Sequence, residues 1–336
     1  MSTPSCPEIT GKPVIDAPAI LEWPLDGGVV APSLHAATSN VLYDLHANID
    51  NCDLVLSTEG NFHMVLHDIW PQVLAMPMSD GRPLQNVIYS TSPPVVVAQL
   101  ENGTLQFDNL RLNSRPSVAV ATKSVIDRLT AKGLTDGAAT PLYQDRGVVI
   151  LVKRGNPKAI RTLWDLGRAG VRLVTPNPEL EPVAFDAYLK SIFRIAQNDA
   201  QPPREWTAAK LIDTLFNGKS GDNLKWLAGE RIHHRDAPWS VAYGRADAAV
   251  IYHHIGRYTW KTFPDIFDII PLGGTVDDPR PLPGTGIGTR YIVAIKGDWA
   301  ARQREARDKL IGILLGESFT AVLEQHGLQR ALTRQR

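Results

Sequence analysis

Short apolar runs recur along the first third of the chain: DLVLS (53–57), NVIYS (86–90) and SVAVA (117–121). Each is rich in β-branched residues and too short for a helix. Each leads into a helix-compatible stretch: NFHMVLHDIW (61–70), VVVAQLENG (95–103) and SVIDRLTAKG (124–133). Continuous apolar strands alternating with amphipathic helices predict a parallel sheet covered on both faces. A second set follows. GVVILVKRG (147–155), VRLVT (171–175), AAVIY (248–252) and YIVAIKGDW (291–299) read as strands. TLWDLGRAG (162–170), PVAFDAYLKSIFRIA (182–196) and APWSVAYGRA (237–246) read as helices, and residues 300–328 as two closing helices broken at Gly316.

The order suggests two α/β lobes, the chain crossing near 143–150 and returning after about 250. Residues 51–146 with 291–336 are expected to form lobe 1, and 147–290 lobe 2. Residues 1–50 read as an N-terminal extension, proline-rich over 1–33, with a helical stretch at 36–49. No internal repeat is visible by eye.

Composition narrows the function. With 336 residues, 43% hydrophobic and 21% charged, the chain has the make-up of a globular protein with a sizeable core. Its 35 basic and 35 acidic residues cancel, so no net field favours nucleic acid or an anionic membrane, and a small partner is expected. No apolar run is long enough to span a membrane. Cys6 and Cys52 are the two cysteines; a lone bridge between them would say little about compartment. The first residues lack a basic region followed by an apolar one, so the chain as written is expected in the cytoplasm, or in the periplasm if the true start lies upstream.

The chemistry gathers where strands meet helices. Ser57-Thr58-Glu59-Gly60-Asn61, Ser90-Thr91-Ser92-Pro93 and Ala121-Thr122-Lys123-Ser124 are three hydroxyl-rich mouths. Capping explains any one of them, since Ser, Thr and Asn accept from the free N–H groups of a first turn and Pro93 suits a first helical position. Taken together they suggest more. In an open parallel sheet ligands bind beyond the carboxyl ends of the strands, where helix amino ends present unpaired donors, so several mouths make an anion site without a formal positive charge.

Other candidates carry less. His63 and His67 lie four apart on one helical face, but the glutamate of a metalloprotease motif is replaced by Met64, so no metal site is assigned. In His233-His234 and His253-His254 strand geometry lets one of each pair face a ligand, His234 or His253, against the plain reading of a solvated loop. GTGIG (284–288) precedes a strand and no helix, so it is not a dinucleotide fingerprint and reads as a flexible lead-in. Lys123 and Arg146 lie near the expected cleft or hinge, where either could complement an anion, and read first as exposed ion-pair formers. No nucleophile, phosphate loop or paired-carboxylate pattern stands out, and neither a cofactor nor catalysis is expected.

The succession of the three mouths, DRGVVILVKRGNP (145–157), TLWDL (162–166) with GVRLVTPNP (170–178), and YGRADAAVIY (243–252) resembles the molybdate-type substrate-binding proteins of ABC transporters, over about residues 50–330. The resemblance implies a type II periplasmic-binding-protein fold of α/β class, a Venus flytrap of two lobes, each a mostly parallel sheet flanked by helices, with the ligand in the cleft. It implies non-catalytic binding of a tetrahedral oxyanion, molybdate or tungstate first, and an ABC permease as partner. Carried over by position, the ligand-binding residues are Ser57, Thr58, Thr91 and Ser92, backbone donors at Pro182-Val183 and Asp236-Ala237, and Tyr252, whose phenol donates while its ring packs. Three departures stand out: the missing export signal, Val183-Ala184-Phe185 where a glycine usually follows the proline, and the extension of about fifty residues. They keep an alternative open, a cytoplasmic enzyme or sensor on the same scaffold that binds a small organic acid.

Overall fold

The computed structural model describes residues 5–16, 45–46, 52–84, 87–90, 95–107, 110–112, 115–217, 222–229 and 232–331. Its strands, in chain order, are β1 (Lys12–Asp16), β2 (Leu45–His46), β3 (Leu54–Ser57), β4 (Val87–Ser90), β5 (Leu105–Phe107), β6 (Leu110–Leu112), β7 (Val118–Thr122), β8 (Thr135–Gln144), β9 (Val148–Lys153), β10 (Leu173–Thr175), β11 (Asp222–Gly229), β12 (Ala248–Tyr252), β13 (Phe267–Pro271), β14 (Thr289–Ile295) and β15 (Gln329–Arg330). The helices are α1 (His63–Leu74), α2 (Val97–Asn102), α3 (Lys123–Ala131), α4 (Pro182–Asn198), α5 (Ala208–Phe216), α6 (His233–Ala242), α7 (His253–Thr262), α8 (Ala301–Leu315) and α9 (Glu317–Gln325). The chain divides into two units: lobe 1, Ser39–Asp145 with Gly288–Arg336, and lobe 2, Met1–Thr38 with Arg146–Ile287.

Lobe 1 is built on the sheet β15-β8-β14-β7-β3-β4-β2. β4, β3 and β7 run parallel, and β14 runs antiparallel between β7 and β8. All four residues of β3 are buried, as a strand covered on both faces requires. Lobe 2 repeats the order in β1-β11-β10-β12-β9-β13, with β11, β10 and β12 parallel and β9 antiparallel beside them. Both sheets therefore read second, first, third, then an antiparallel strand, a likeness of topology that the sequence does not display. The lobe 2 core centres on Trp226, stacked on Phe185 with ring centroids 5.4 Å apart and edge-on to Phe216 at 4.9 Å.

Several expectations change. The segment read as an extension supplies β1, which pairs with β11. The Asn217 amide holds it there, Oδ1 accepting from the N–H of Thr10 at 2.6 Å and Gly11 at 3.2 Å, and Nδ2 donating to the Glu8 carbonyl at 3.1 Å. A Cβ on Gly11 would lie 1.8 Å from the Phe216 carbonyl oxygen, so only glycine fits this approach. Of the stretch expected to be helical at 36–49, Leu45 and His46 are a strand paired with Ser90 and Tyr89, and the rest lies outside the described residues. TLWDLGRAG forms a 3-10 turn, Leu163–Gly167, in place of an α-helix. GTGIG is not a loose lead-in: the Gly288 N–H donates to Asp145 Oδ2 at 2.8 Å and its carbonyl accepts from the Asp145 N–H at 3.0 Å. Cys6 and Cys52 are thiols.

Candidate anion-binding site

In lobe 1 the chain passes from β3 to β4 on one side and then to β7 on the other. The order reverses between β3 and β7, and such a reversal leaves room for a ligand beyond the carboxyl ends. Ser57 ends β3 and Thr58 follows, 2% and 0% exposed. Neither caps a helix. The cap of the 3-10 turn that runs into α1 is Glu59, which makes no side-chain capping bond. Thr58 Oγ1 is buried without a hydrogen-bond partner among the described residues. Leaving a hydroxyl so costs about 1–3 kcal/mol, which makes it a group to be explained. By contrast Thr175, at the end of β10, is satisfied: its Oγ1 accepts from Trp226 Nε1 at 2.8 Å and donates to the Pro176 carbonyl at 3.0 Å.

The third mouth differs again. Thr122 is the cap residue of α3, but its hydroxyl meets Ser124 Oγ at 3.1 Å instead of the helix amides. Lys123 pairs with Asp127. At the second mouth Thr91 and Ser92 lie outside the described residues. Pro93 lies outside them too; α2 starts at Val97 with Val96 extended before it.

A formal charge that sequence reasoning missed stands beside these hydroxyls. Arg290, 7% exposed, lies opposite Thr122 in β7 and Tyr143 in β8. Its Nε donates to Glu59 Oε2 at 2.5 Å, and the same carboxylate accepts from Asn61 Nδ2 at 3.4 Å. The pair spans 231 residues of chain, so no local pattern announces it.

In lobe 2 the reversal lies between β10 and β12, and three helix amino ends follow the strands: α4, α6 and α7. α4 begins at Pro182, as expected. Proline has no N–H, so the donor of this pair is the amide of Val183, whose side chain is 80% exposed. Asp236-Ala237 is corrected. α6 begins a turn earlier, at His233, and the Asp236 N–H donates to the Ile232 carbonyl at 3.0 Å. By helical geometry the Ala237 amide is used in the same way. Pro238 sits inside α6. Tyr252 ends β12, its ring 4.9 Å from Tyr188, whose hydroxyl accepts from the Tyr252 N–H at 3.3 Å.

The paired histidines are neither strand residues nor solvated loops. His233-His234 opens α6 and His253-His254 opens α7, with His233, His253 and His254 at most 5% exposed. His253 Nε2 meets the Val276 carbonyl at 2.7 Å, and His233 Nε2 the Val250 carbonyl at 3.3 Å. Burial pushes the His233 imidazole down to about 4. Its main-chain N–H donates to Glu181 Oε2 at 2.9 Å. Burial, helped by the Asp236 charge, pushes the Glu181 carboxyl up to about 7 against that hydrogen bond. On α1, His63 Nδ1 contacts the Gly60 carbonyl and His67 contacts Asp68. Among the described residues no three His, Cys, Asp or Glu side chains form a metal-binding group, and no helix is long and apolar enough to cross a membrane.

Comparison with known proteins gives the lobes a family. No curated protein matches the chain. Solved structures do. The sulfate-binding protein SubI from Mycobacterium tuberculosis H37Rv superposes with a TM-score of 0.56 at 16% identity, covering 83% of this chain and 86% of that one. The Azotobacter vinelandii periplasmic molybdate-binding protein gives 0.52 at 16%, over 84% and 100%. Peb3 from Campylobacter jejuni gives 0.52 at 17%, over 83% and 100%. These likenesses show the two-lobed α/β fold of type II periplasmic binding proteins. Residues 85–329, well over half the sequence, match the family of bacterial extracellular solute-binding proteins, and the chain belongs to that family.

Proposed function

We propose that the protein is the solute-binding component of an ABC-type importer and that its solute is a small oxyanion, with molybdate or tungstate as the first candidates. One observation carries the reading: the Thr58 hydroxyl is wholly buried at the carboxyl end of β3, where the strand order reverses, and has no partner among the described residues. A ligand oxygen would satisfy it. Ser57 is the adjacent hydroxyl, Thr91 and Ser92 are the further hydroxyls carried over by position in the sequence, and Arg290 supplies positive charge tempered by Glu59. Lobe 2 offers the amide of Val183 and the phenol of Tyr252. The proteins of like fold named for sulfate and molybdate are in keeping with such a ligand. The extracellular solute-binding family description supports a site of action outside the cytoplasm, and a membrane permease is the partner that this reading calls for.

Calorimetric titration with molybdate, tungstate, sulfate and phosphate tests this. Tight binding of at least one anion is expected, with Thr58→Ala weakening it by about 1–3 kcal/mol while the fold is kept. Absence of heat and of any thermal shift with all four anions removes the oxyanion reading.

A further inference from the structure

The amino end of α6 already holds an anion, and that anion is part of the chain. Glu181 is the cap residue of α4: its carbonyl accepts the first bond of that helix, from the Phe185 N–H at 2.9 Å. Its side chain does not turn back on α4 but reaches α6, where Oε2 accepts from the His233 N–H at 2.9 Å. One residue thus joins the two helix amino ends that follow β10 and β11. The cap residue of α6 itself, Ile232, has no side chain able to serve. A glutamine would give the same acceptor without the cost of burying a carboxylate, so a capping role alone does not account for an acid here.

The surroundings are set for a proton. Asp236 on α6 adds negative charge, and the same helix carries His233, His234 and Arg235. Tyr188 on α4 packs against the His233 ring and, on its other contact, against Tyr252 at the end of β12, and the His233 Nδ1 is buried without a partner among the described residues. His233 stays neutral above pH 5. We propose that Glu181 determines specificity at this mouth: the site takes an oxyanion together with one proton, held on the Glu181 carboxyl. The ionised carboxylate competes with the ligand for the amino end of α6 and repels it. The neutral carboxyl keeps its carbonyl on the His233 N–H and turns its O–H donor to the anion. The proposal rests on the reading of these helix ends as anion-facing.

Sulfate and molybdate are suitable probes, since dilute solutions of both stay dianionic from pH 6 to pH 8. Titration of the full chain across that range is expected to show affinity falling about tenfold, as one proton with a free-protein value near 7 requires. In two buffers of different ionisation heat, binding at pH 8 is expected to take up close to one proton. Glu181→Gln is expected to flatten the profile and abolish the uptake, and Glu181→Asp to restore part of both. A wild-type affinity that ignores pH, no proton uptake, or a profile unchanged in Glu181→Gln each overturns the proposal while leaving oxyanion binding in place. No binding at any pH overturns both. Proton-linked binding that ignores Thr58→Ala removes only the role given to Thr58.

Discussion

Glu181 and His233 share one hydrogen bond and carry opposite proton linkages. Glu181 rises from 4.5 to about 7, so it favours the fold below pH 4.5 and loses that contribution as pH climbs through 7. His233 drops from 6.5 to about 4, so its neutral form favours the fold above pH 6.5 and that contribution is lost as pH falls through 4. Each is worth up to about 3 kcal/mol, and between pH 4.5 and 6.5 they offset each other. Urea midpoints are expected to expose the two halves separately. His233→Gln should lose stability as pH rises from 4.5 to 7, and Glu181→Gln as pH falls from 6.5 to 4. Parallel profiles for the two variants would contradict the assignment. The same two residues mark what a sequence can tell. Ser57, Thr58 and Tyr252 are legible because each sits at or just after the end of an apolar run. Glu181 and Arg290 are not, because their partners lie 52 and 231 residues away and only the fold brings them together.

The strands found by pattern are those buried on both faces, such as β3, β9 and β12, where hydrophobicity is continuous. β8 reads TDGAATPLYQ, with a glycine and a proline, and is a strand because β14 supplies its partner. β11 is missed for a related reason: Leu224 is 75% exposed while Trp226 is buried at 1%, so its apolar side is short. The start of α6 is hidden because a turn of histidine, arginine and aspartate looks like a surface loop, yet it is buried. At the closing helices a single cation does what no motif predicts. Arg330 on β15 donates to the carbonyls of Leu142, Leu314 and Gly316 and to Thr320 Oγ1, so it fastens the end of α8 to β8. Arg330→Ala is expected to lower stability by about 3 kcal/mol, and Arg330→Lys to recover only part of it, since a lysine cannot span four acceptors with a planar fork. Equal denaturant midpoints for wild type and Arg330→Ala would show that those carbonyls find other partners.

At the scale of the whole molecule, the alternation of strand and helix was enough to foresee two α/β lobes, and the family match bears out the solute-binding class. The contribution of the first residues was not foreseen, because a five-residue strand at a sheet edge carries little hydrophobic signal of its own. The placement of β14 has a consequence for synthesis. That strand sits between β7 and β8, and until it exists the lobe 1 sheet is two separate pieces. Lobe 2 ends at Ile287, one residue before the returning segment begins. Although most of lobe 1 leaves the ribosome earlier, it cannot close until after lobe 2 is complete, the reverse of the usual order in which the domain begun first folds first. A nascent chain arrested just after residue 287 has emerged is expected to resist protease over 146–287 and to be cut within 52–145. Protection of 52–145 at that length would mean that lobe 1 closes without β14. If the order holds, the half of the protein that carries Thr58 stays unfinished, and the proposed anion site unformed, until translation is nearly over.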